Sequence, residues 1–225
     1  MNGAMIVFDM DGVLVDVSES YREAIQRTVE HFSGAPLSRE EIQDWKNRGG
    51  WNDDWSLSTA MIRARGVEVE RDTVVEYFQS IFHGDGTDGL IMRERWIATP
   101  GMLERLHEQF RFAVFTGRMK WEAEFTLRRF AGGLRFEPIV GAGEVARHKP
   151  APDGLLHIGQ LLPGTKLWYV GDTVDDARSA AAAGVDFIGI ASPSSPRHSQ
   201  LVTLLAQEGA RAVLDDINLL HRVIL

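Results

Sequence analysis

Three short apolar segments of this chain have the same pattern, in which every position is apolar and the segment then ends abruptly. They are "MIVF" before Asp9, "FAVF" before Thr116 and "LWYV" before Gly171. Continuous apolar runs of this length are typical of parallel strands that are covered on both faces. Helical segments separate them, and "VDFIGI" and "ARAVL" are predicted to be later strands. The alternation predicts an α/β fold with a doubly wound parallel sheet.

Two of the intervening helices have recognisable ends. "TPGMLERLHEQ" carries Pro100 near the predicted helix start, and "DDARSAAAAG" is followed by Gly184 as a C-terminal stop. Ligands of doubly wound sheets bind beyond the carboxyl ends of the strands. We therefore expect Asp9, Thr116 and Asp172 at the same edge of the sheet.

The segment from residue 17 to 97 breaks this alternation. It contains four amphipathic helical patterns, "SESYREAIQRTVEHF", "SREEIQDWKN", "DDWSLSTAMIRARG" and "VERDTVVEYFQSIFHG", and no convincing strand. Ser38 and Glu41 have the spacing of a capping box. The prediction is an α/β core of residues 1–16 and 98–225 with a helical insertion at 17–97.

Composition narrows the class of protein. Apolar residues make up 44% of the chain and charged residues 25%, which is typical of a globular protein. The absence of cysteine excludes disulfides and thiolate metal sites. There is no signal-peptide pattern and no apolar run of ~18 residues, so we expect a cytoplasmic protein without a membrane segment. A net charge of −8 argues against nucleic acid and anionic membranes as partners. Monomer and homodimer both remain open.

The first candidate chemistry lies in "DMDG". Asp9 and Asp11 are two residues apart on an extended segment, so their side chains point into the same volume. Buried acids are normally hydrogen-bonded, paired with a cation or bound to a metal. Alone, this motif could be a polar turn that ends a strand. It is not an EF-hand loop, because Gly12 stands at the fourth position instead of the sixth.

Three later segments change that interpretation. They are "FTGR", "RHKPAPD" and "VGDTVDD", each placed just after a predicted strand or in a loop. Each alone is a weak signal. Together they supply acids from two strand ends, a hydroxyl donor and a lysine, which are the groups that phosphoryl transfer needs for positioning and charge neutralisation.

With these motifs in this order, the sequence resembles the haloacid dehalogenase superfamily, in particular its Mg²⁺-dependent phosphatase branch with a helical cap. The resemblance covers essentially the whole chain, from "DMDGVLVD" to "GDTVDD". It implies that Asp9 is the nucleophile that becomes an aspartyl phosphate. Asp11 would protonate the leaving oxygen and then activate water, and Thr116 and Lys149 would hold the phosphoryl oxygens.

The resemblance also implies a metal site. Mg²⁺ would be bound by Asp9, the backbone carbonyl of Asp11 and Asp172, with Asp176 as an additional acid of the site. Mg²⁺ suits this set because it prefers carboxylates, water and phosphate oxygens. Asp175 falls where the family varies.

The residues that select the substrate are predicted mainly in a loop of the helical insertion. In family members with a cap, a loop between cap helices selects the substrate, and here "DWKNRGGWNDDW" places Lys46, Arg48 and Trp51 around two glycines. We expect these three residues to contact substrate, although the tryptophans could equally be core or interface residues. Gly117 and Arg118 are also expected near the substrate, and for Arg118 a pair with a cap acid remains open.

"VGAGEVA" fits the dinucleotide fingerprint G-x-G-x-x-A. That motif must open a helix and be followed by an acid about 20 residues later. Pro150 interrupts such a helix, and Pro163 and Gly164 stand where the acid is needed. We therefore interpret these glycines as part of the loop that presents Lys149.

The predicted function is a phosphatase of a small phosphorylated metabolite. A phosphosugar mutase uses both aspartates too and is the alternative within the family. A dehalogenase is disfavoured because that branch lacks the second aspartate. A phospho-acceptor receiver domain shares the acids, threonine and lysine, but it is about half this length and has no helical insertion. A non-catalytic binding module does not explain the complete set of acids and lysine.

Overall fold

The chain consists of two compact units. The computed structural model describes residues 4–225. One unit comprises the chain up to Val15 together with Trp96–Leu225, and the other comprises Asp16–Arg95. The predicted boundaries, after residue 16 and before residue 98, differ from these by one and two residues.

The first unit is an α/β structure built on one parallel sheet. The strands of the chain are β1 Met5–Phe8, β2 Val15–Asp16, β3 Arg95–Trp96, β4 Arg111–Met119, β5 Phe136–Ala142, β6 Leu167–Gly171, β7 Asp186–Ile190 and β8 Ala212–Leu214. Six of them form a sheet in the order β5-β4-β1-β6-β7-β8, and every neighbouring pair is parallel. The predicted α/β class and parallel sheet are confirmed. β2 and β3 form a separate two-stranded sheet where the chain passes between the units.

The strand order creates a natural binding crevice. From β1 the chain adds β4 and β5 on one side and then β6, β7 and β8 on the other. In doubly wound sheets the crevice for ligands lies at such a reversal, beyond the carboxyl ends of the strands. Helices α5 Met102–His107, α6 Lys120–Ala131, α7 Asp153–Leu161, α8 Val174–Ala183, α9 His198–Gln207 and α10 His221–Ile224 complete the unit.

Strand β4 is longer than predicted and is irregular near its end. Phe115 pairs with Val140 and Met119 pairs with Ala142, so the β4 segment between these pairs is longer than the β5 segment opposite it. Such a bulge re-aims side chains and is common beside active sites. The expectation that the strand ends before Thr116 was wrong: Thr116 lies inside β4, in this bulge.

The second unit is helical. It contains α1 Tyr21–Ser33, α2 Arg39–Asn47, α3 Asp54–Ala64 and α4 Arg71–His83, followed by a 3₁₀ turn at Leu90–Arg93. The hydroxyl of Ser38 accepts the backbone N–H of Glu41 at 3.1 Å, but the Glu41 carboxylate binds Arg65 at 2.6 Å. The N-cap is therefore present without the reciprocal half of the predicted box. Across the described residues, no helix is both long and apolar enough to cross a membrane.

Candidate active site

Asp9 lies at the mouth of β1, where the sequence predicted it. Its backbone N–H donates to the Val170 carbonyl at 2.8 Å, which continues the pairing of β1 with β6. The Asp9 side chain is 7% exposed, and its Oδ1 accepts the Met10 N–H at 2.7 Å. Burial raises the pKa of Asp9 to about 7, a shift that the Lys149 cation reduces and the charges of Asp176 and Asp11 reinforce.

Lys149 supplies the buried cation of the site. Its Nζ lies 3.2 Å from Asp9 Oδ1 and 2.7 Å from Asp176 Oδ1, and the side chain is 1% exposed. The ammonium also lies over the Phe115 and Tyr169 rings, 5.0 and 5.6 Å from their centroids. Burial disfavours the charge, but the two carboxylates outweigh it and hold the pKa of Lys149 above its usual value. The residue is therefore a permanent cation next to Asp9.

Asp176 is the carboxylate that fixes Lys149. It lies in the first turn of α8, and Oδ1 accepts both Lys149 and the Tyr169 hydroxyl, the latter at 2.6 Å. Oδ2 accepts the Thr173 N–H at 3.0 Å and the Thr173 hydroxyl at 2.6 Å. Burial opposes ionisation, yet Lys149 and these hydrogen bonds lower the pKa of Asp176. Its two oxygens are thus already engaged by donors of the protein.

Asp172 follows β6 and completes an acidic cluster. One carboxylate oxygen each from Asp9, Asp172 and Asp176 lies within 4.8 Å of the others. Gly12 makes this approach possible: it has φ +72°, and a Cβ added there would lie 2.1 Å from Asp172 Oδ2. Only glycine combines that backbone conformation with so close a carboxylate.

The charge and donor set of this cluster fit a divalent cation. Three carboxyl groups share a largely buried volume with one ammonium, so ionisation of all three acids would leave a net charge of −2. Such a charge is costly unless a cation compensates it. Hard divalent cations select carboxylate oxygens. Because the Asp176 oxygens already accept four donor contacts, Asp9 and Asp172 are the better placed ligands.

Asp11 and Arg118 form an ion pair within the α/β unit. Arg118 Nε donates to Asp11 Oδ1 at 2.7 Å, and its Nη1 donates to Thr126 Oγ1 at 3.1 Å. The sequence left open whether Arg118 meets substrate or a cap acid. The structure gives a different partner, because Asp11 belongs to the same unit as Arg118.

The remaining predicted phosphoryl-binding residues lie in the β4 bulge. Thr116 is 2% exposed, and its hydroxyl accepts the Arg118 N–H at 3.2 Å. Gly117 next to it is exposed. The bulge therefore places a buried hydroxyl and an open backbone side by side at the carboxyl edge of the sheet.

Comparison with known proteins now identifies the family. The haloacid dehalogenase-like hydrolase family matches residues 4–184. The chain belongs to this family. An imidazoleglycerol-phosphate dehydratase from Phytophthora nicotianae is 31% identical over 226 residues, which cover 93% of this chain and 49% of that protein. The chain thus spans about half the length of that relative.

Two further relatives are covered more fully. A phosphoglycolate phosphatase from Pseudomonas fluorescens (strain Pf0-1) is 23% identical over 225 residues, covering 95% of this chain and 76% of that protein. The solved structure of phosphatase Tt82 from Thermococcus thioreducens is 28% identical in sequence and has a TM-score of 0.64. The match covers 92% of this chain and 100% of that chain. These likenesses agree with a hydrolase built on the haloacid dehalogenase fold.

The predicted substrate loop of this hydrolase is stabilised from within the helical unit. Lys46 is 8% exposed, and its Nζ lies 2.6 Å from Asp54 Oδ1. The Trp45 and Trp51 rings meet edge to face at 4.9 Å, and the exposed Arg48 lies over Trp45. The structure thus gives Lys46 and Trp51 packing roles inside the loop. Substrate contact by Lys46, Arg48 and Trp51 stays a prediction.

The dinucleotide motif lacks its required helix. β5 ends at Ala142, and residues 143–146 form a turn and bends. Glu144 accepts the Gly141 N–H at 3.0 Å and Lys120 at 2.9 Å, which fixes the turn. The segment is therefore a structured loop that leads to Lys149.

Two site residues of this hydrolase were missed by sequence reasoning. Tyr169 was counted among the apolar residues of "LWYV", although a tyrosine in a fully buried strand needs a partner for its hydroxyl. Thr173 begins the pattern T-x-x-D, which is a capping-box spacing. Both signals were present, but neither indicates that the partner is Asp176, on which Lys149 depends.

Proposed function

We propose that this hydrolase is a Mg²⁺-dependent phosphatase that hydrolyses a small phosphorylated metabolite through an aspartyl phosphate on Asp9. The observation that carries the proposal is the placement of the Lys149 ammonium 3.2 Å from Asp9 Oδ1, with both side chains buried. A carboxylate nucleophile needs such a fixed cation because the phosphoryl group brings further negative charge.

The contacts of Asp9 suggest which oxygen reacts. Both Met10 and Lys149 bind Oδ1. Oδ2 would attack phosphorus, and the ester P–O bond would break as its oxygen takes a proton from Asp11. Water would then attack the same phosphorus and give a proton to Asp11. The bond between Asp9 and phosphorus would break and release inorganic phosphate.

Asp9, Asp172 and the backbone carbonyl of Asp11 would hold the Mg²⁺. When bound, the ion would neutralise charge on the phosphoryl oxygens. Thr116 and Lys149 would contact the same oxygens from the protein side. Asp176 would keep Lys149 in place without binding the ion, since its oxygens already accept Lys149, Tyr169 and Thr173.

Two relatives favour a phosphatase over the other family reactions. Both the Pseudomonas fluorescens relative and the Thermococcus thioreducens relative carry phosphatase names. We propose phosphoglycolate as the first substrate to test, in a panel with sugar phosphates and amino-alcohol phosphates. A compact phosphorylated acid would match a site in which Asp9 and Asp172 would hold a metal and Lys149 is fixed by Asp176.

The test is release of inorganic phosphate from this panel by the purified chain with Mg²⁺. Asp9→Asn should reduce turnover by ~10³-fold or more, because an amide cannot form the phosphoenzyme. Asp186→Asn is a matched control, since Asp186 begins β7 at the opposite edge of the sheet. Turnover by a clean Asp9→Asn preparation at the wild-type rate would contradict the mechanism. Failure of the folded wild type on every ester would contradict the function.

A further inference from the structure

We infer that Arg118 is a positioning residue that holds Asp11 in the orientation needed for proton transfer, and that it does not bind substrate. The inference rests on the proposed phosphatase function, in which Asp11 is the acid and base. It assigns a role to the third residue of "TGR" from its partners in the structure.

Arg118 contacts a single carboxylate oxygen of Asp11. Arg118 Nε lies 2.7 Å from Asp11 Oδ1, and Nη2 contacts the same oxygen. Because both contacts are to Oδ1, the arginine leaves Oδ2 of Asp11 for proton transfer. Holding Oδ1 restricts rotation of the Asp11 carboxylate and therefore also fixes the position of Oδ2.

Arg118 is itself held in place by further hydrogen bonds. Its Nη1 donates to Thr126 Oγ1 at 3.1 Å, and Thr126 lies fully buried on α6. Its backbone N–H is bound to Thr116 in the β4 bulge. The planar guanidinium is therefore held by Thr126 as well as by Asp11, as a support for a reacting carboxylate must be.

Arg118 and Asp11 differ in their exposure to solvent. The Arg118 side chain is 1% exposed, whereas that of Asp11 is 28% exposed. A ligand entering the crevice therefore meets Asp11 and not the guanidinium behind it. For Arg118 to bind substrate, it would have to leave both Asp11 and Thr126.

The test exploits the fact that a poor leaving group needs a proton and a good one does not. Phenyl phosphate and p-nitrophenyl phosphate are similar in size, but phenolate is the more basic leaving group. The ratio kcat/KM reports the step in which the leaving group departs, provided that this step is the first irreversible one. Arg118→Met should lower kcat/KM for phenyl phosphate by ~10-fold or more, within the usual range for lost acid catalysis, and for p-nitrophenyl phosphate by less than ~3-fold.

Two further variants separate positioning from folding. Arg118→Lys keeps the charge but cannot span Asp11 and Thr126, so its loss on phenyl phosphate should lie between those of wild type and Arg118→Met. Arg211→Met is the matched control, because Arg211 pairs with Asp186 at 2.8 Å outside the site. Arg211→Met should leave both esters unaffected, and thermal melts will report any loss of fold.

A double-mutant cycle gives the decisive outcome. If Arg118 acts through Asp11, Arg118→Met should cause no further loss of kcat/KM for phenyl phosphate in an Asp11→Asn background. Equal losses on both esters, an additive double mutant, or a rise in kcat/KM would overturn the role of Arg118. If folded wild type hydrolyses neither ester nor any metabolite of the panel, the phosphatase function itself fails and this inference fails with it.

Discussion

The hydroxyl of Tyr169 donates a hydrogen bond of 2.6 Å to Oδ1 of Asp176, the same oxygen that accepts Lys149. The tyrosine is fully buried in β6, and burial together with the nearby carboxylates raises the pKa of its hydroxyl well above the usual value. It therefore stays a neutral donor. Tyr169, a residue of the sheet core, thus supports Asp176, the carboxylate that pairs with Lys149.

Tyr169→Phe should lower stability more than activity. The substitution removes one hydrogen bond to a buried charge, worth about 2 kcal/mol, which corresponds to a Tm loss of about 4–8 °C in a chain of this size. Lys149 keeps its pairs with Asp176 and Asp9, so kcat should fall by no more than ~10-fold. Thermal melts and phosphate release measure the two effects. The matched control is Tyr77→Phe in the helical unit, and an unchanged Tm for Tyr169→Phe would contradict the network.

Gly12→Ala should weaken metal binding selectively. A Cβ at residue 12 would lie 2.1 Å from Asp172 Oδ2, so Asp172 must move. We expect EDTA to stop wild-type turnover, Mg²⁺ to restore it and Ca²⁺ to inhibit by imposing a looser coordination. Gly12→Ala should raise the Mg²⁺ concentration for half-maximal activity by ~10-fold or more, the usual scale for a disturbed metal ligand.

Gly164→Ala is a close control for that variant. Gly164 has φ +75°, similar to Gly12, but a Cβ there would meet nothing within 4 Å. It therefore shares the backbone strain without the contact to Asp172. A similar Mg²⁺ requirement in the two variants would mean that strain, and not the displaced carboxylate, causes the effect.

Stability of the metal-free protein should fall as pH rises through the range in which Asp9 titrates. Burial raises the pKa of Asp9 from 3.8 to about 7. Between these values the native state binds more protons than the unfolded state, so the free energy of unfolding decreases with increasing pH. Asp9→Asn removes this contribution. In EDTA, its Tm relative to wild type should therefore be higher at pH 7 than at pH 5.

Asp186→Asn provides the opposite case for that measurement. Hydrogen bonds from Arg211 and Lys166 lower the pKa of Asp186, so its contribution is lost only as pH falls. Its Tm relative to wild type should not rise between pH 5 and pH 7. If the Tm of Asp9→Asn relative to wild type also failed to rise between pH 5 and pH 7, ionisation of the buried Asp9 carboxyl would not destabilise the fold as its environment implies.

Local pattern was sufficient to predict β1, since "MIVF" is buried at every position and forms the strand Met5–Phe8. β5 was missed because Pro138 and Gly141 interrupt its pattern and several of its residues are only partly buried. Sequence motifs were sufficient to predict the acids Asp9 and Asp11, Lys149 and the acids of "GDTVDD", because these are the residue types that phosphoryl transfer requires. The partner of Arg118 could not, because Asp11 is 107 residues away and the pairing of β1 with β4 brings the two segments together.

The predicted substrate loop offers two cations whose substitutions should behave differently. Lys46 is buried and paired with Asp54, so Lys46→Met leaves a largely buried carboxylate without its partner. We expect the free energy of unfolding to fall by about 2 kcal/mol and the ratio of kcat/KM between esters to stay unchanged, because Asp54 already engages the Lys46 ammonium. Arg48 is exposed and contacts the Trp45 ring, so Arg48→Met should leave Tm nearly unchanged.

If the loop selects substrate, Arg48→Met should lower kcat/KM for phosphoglycolate by ~10-fold relative to p-nitrophenyl phosphate, because only the first ester offers a second anionic group to a cation. Arg63→Met, an arginine of α3 that donates to the Val69 carbonyl, is the control in the same unit. Thermal melts and kcat/KM for both esters distinguish the three variants. A constant kcat/KM ratio in Arg48→Met would show that Arg48 does not select the substrate, and selection would then lie with other residues.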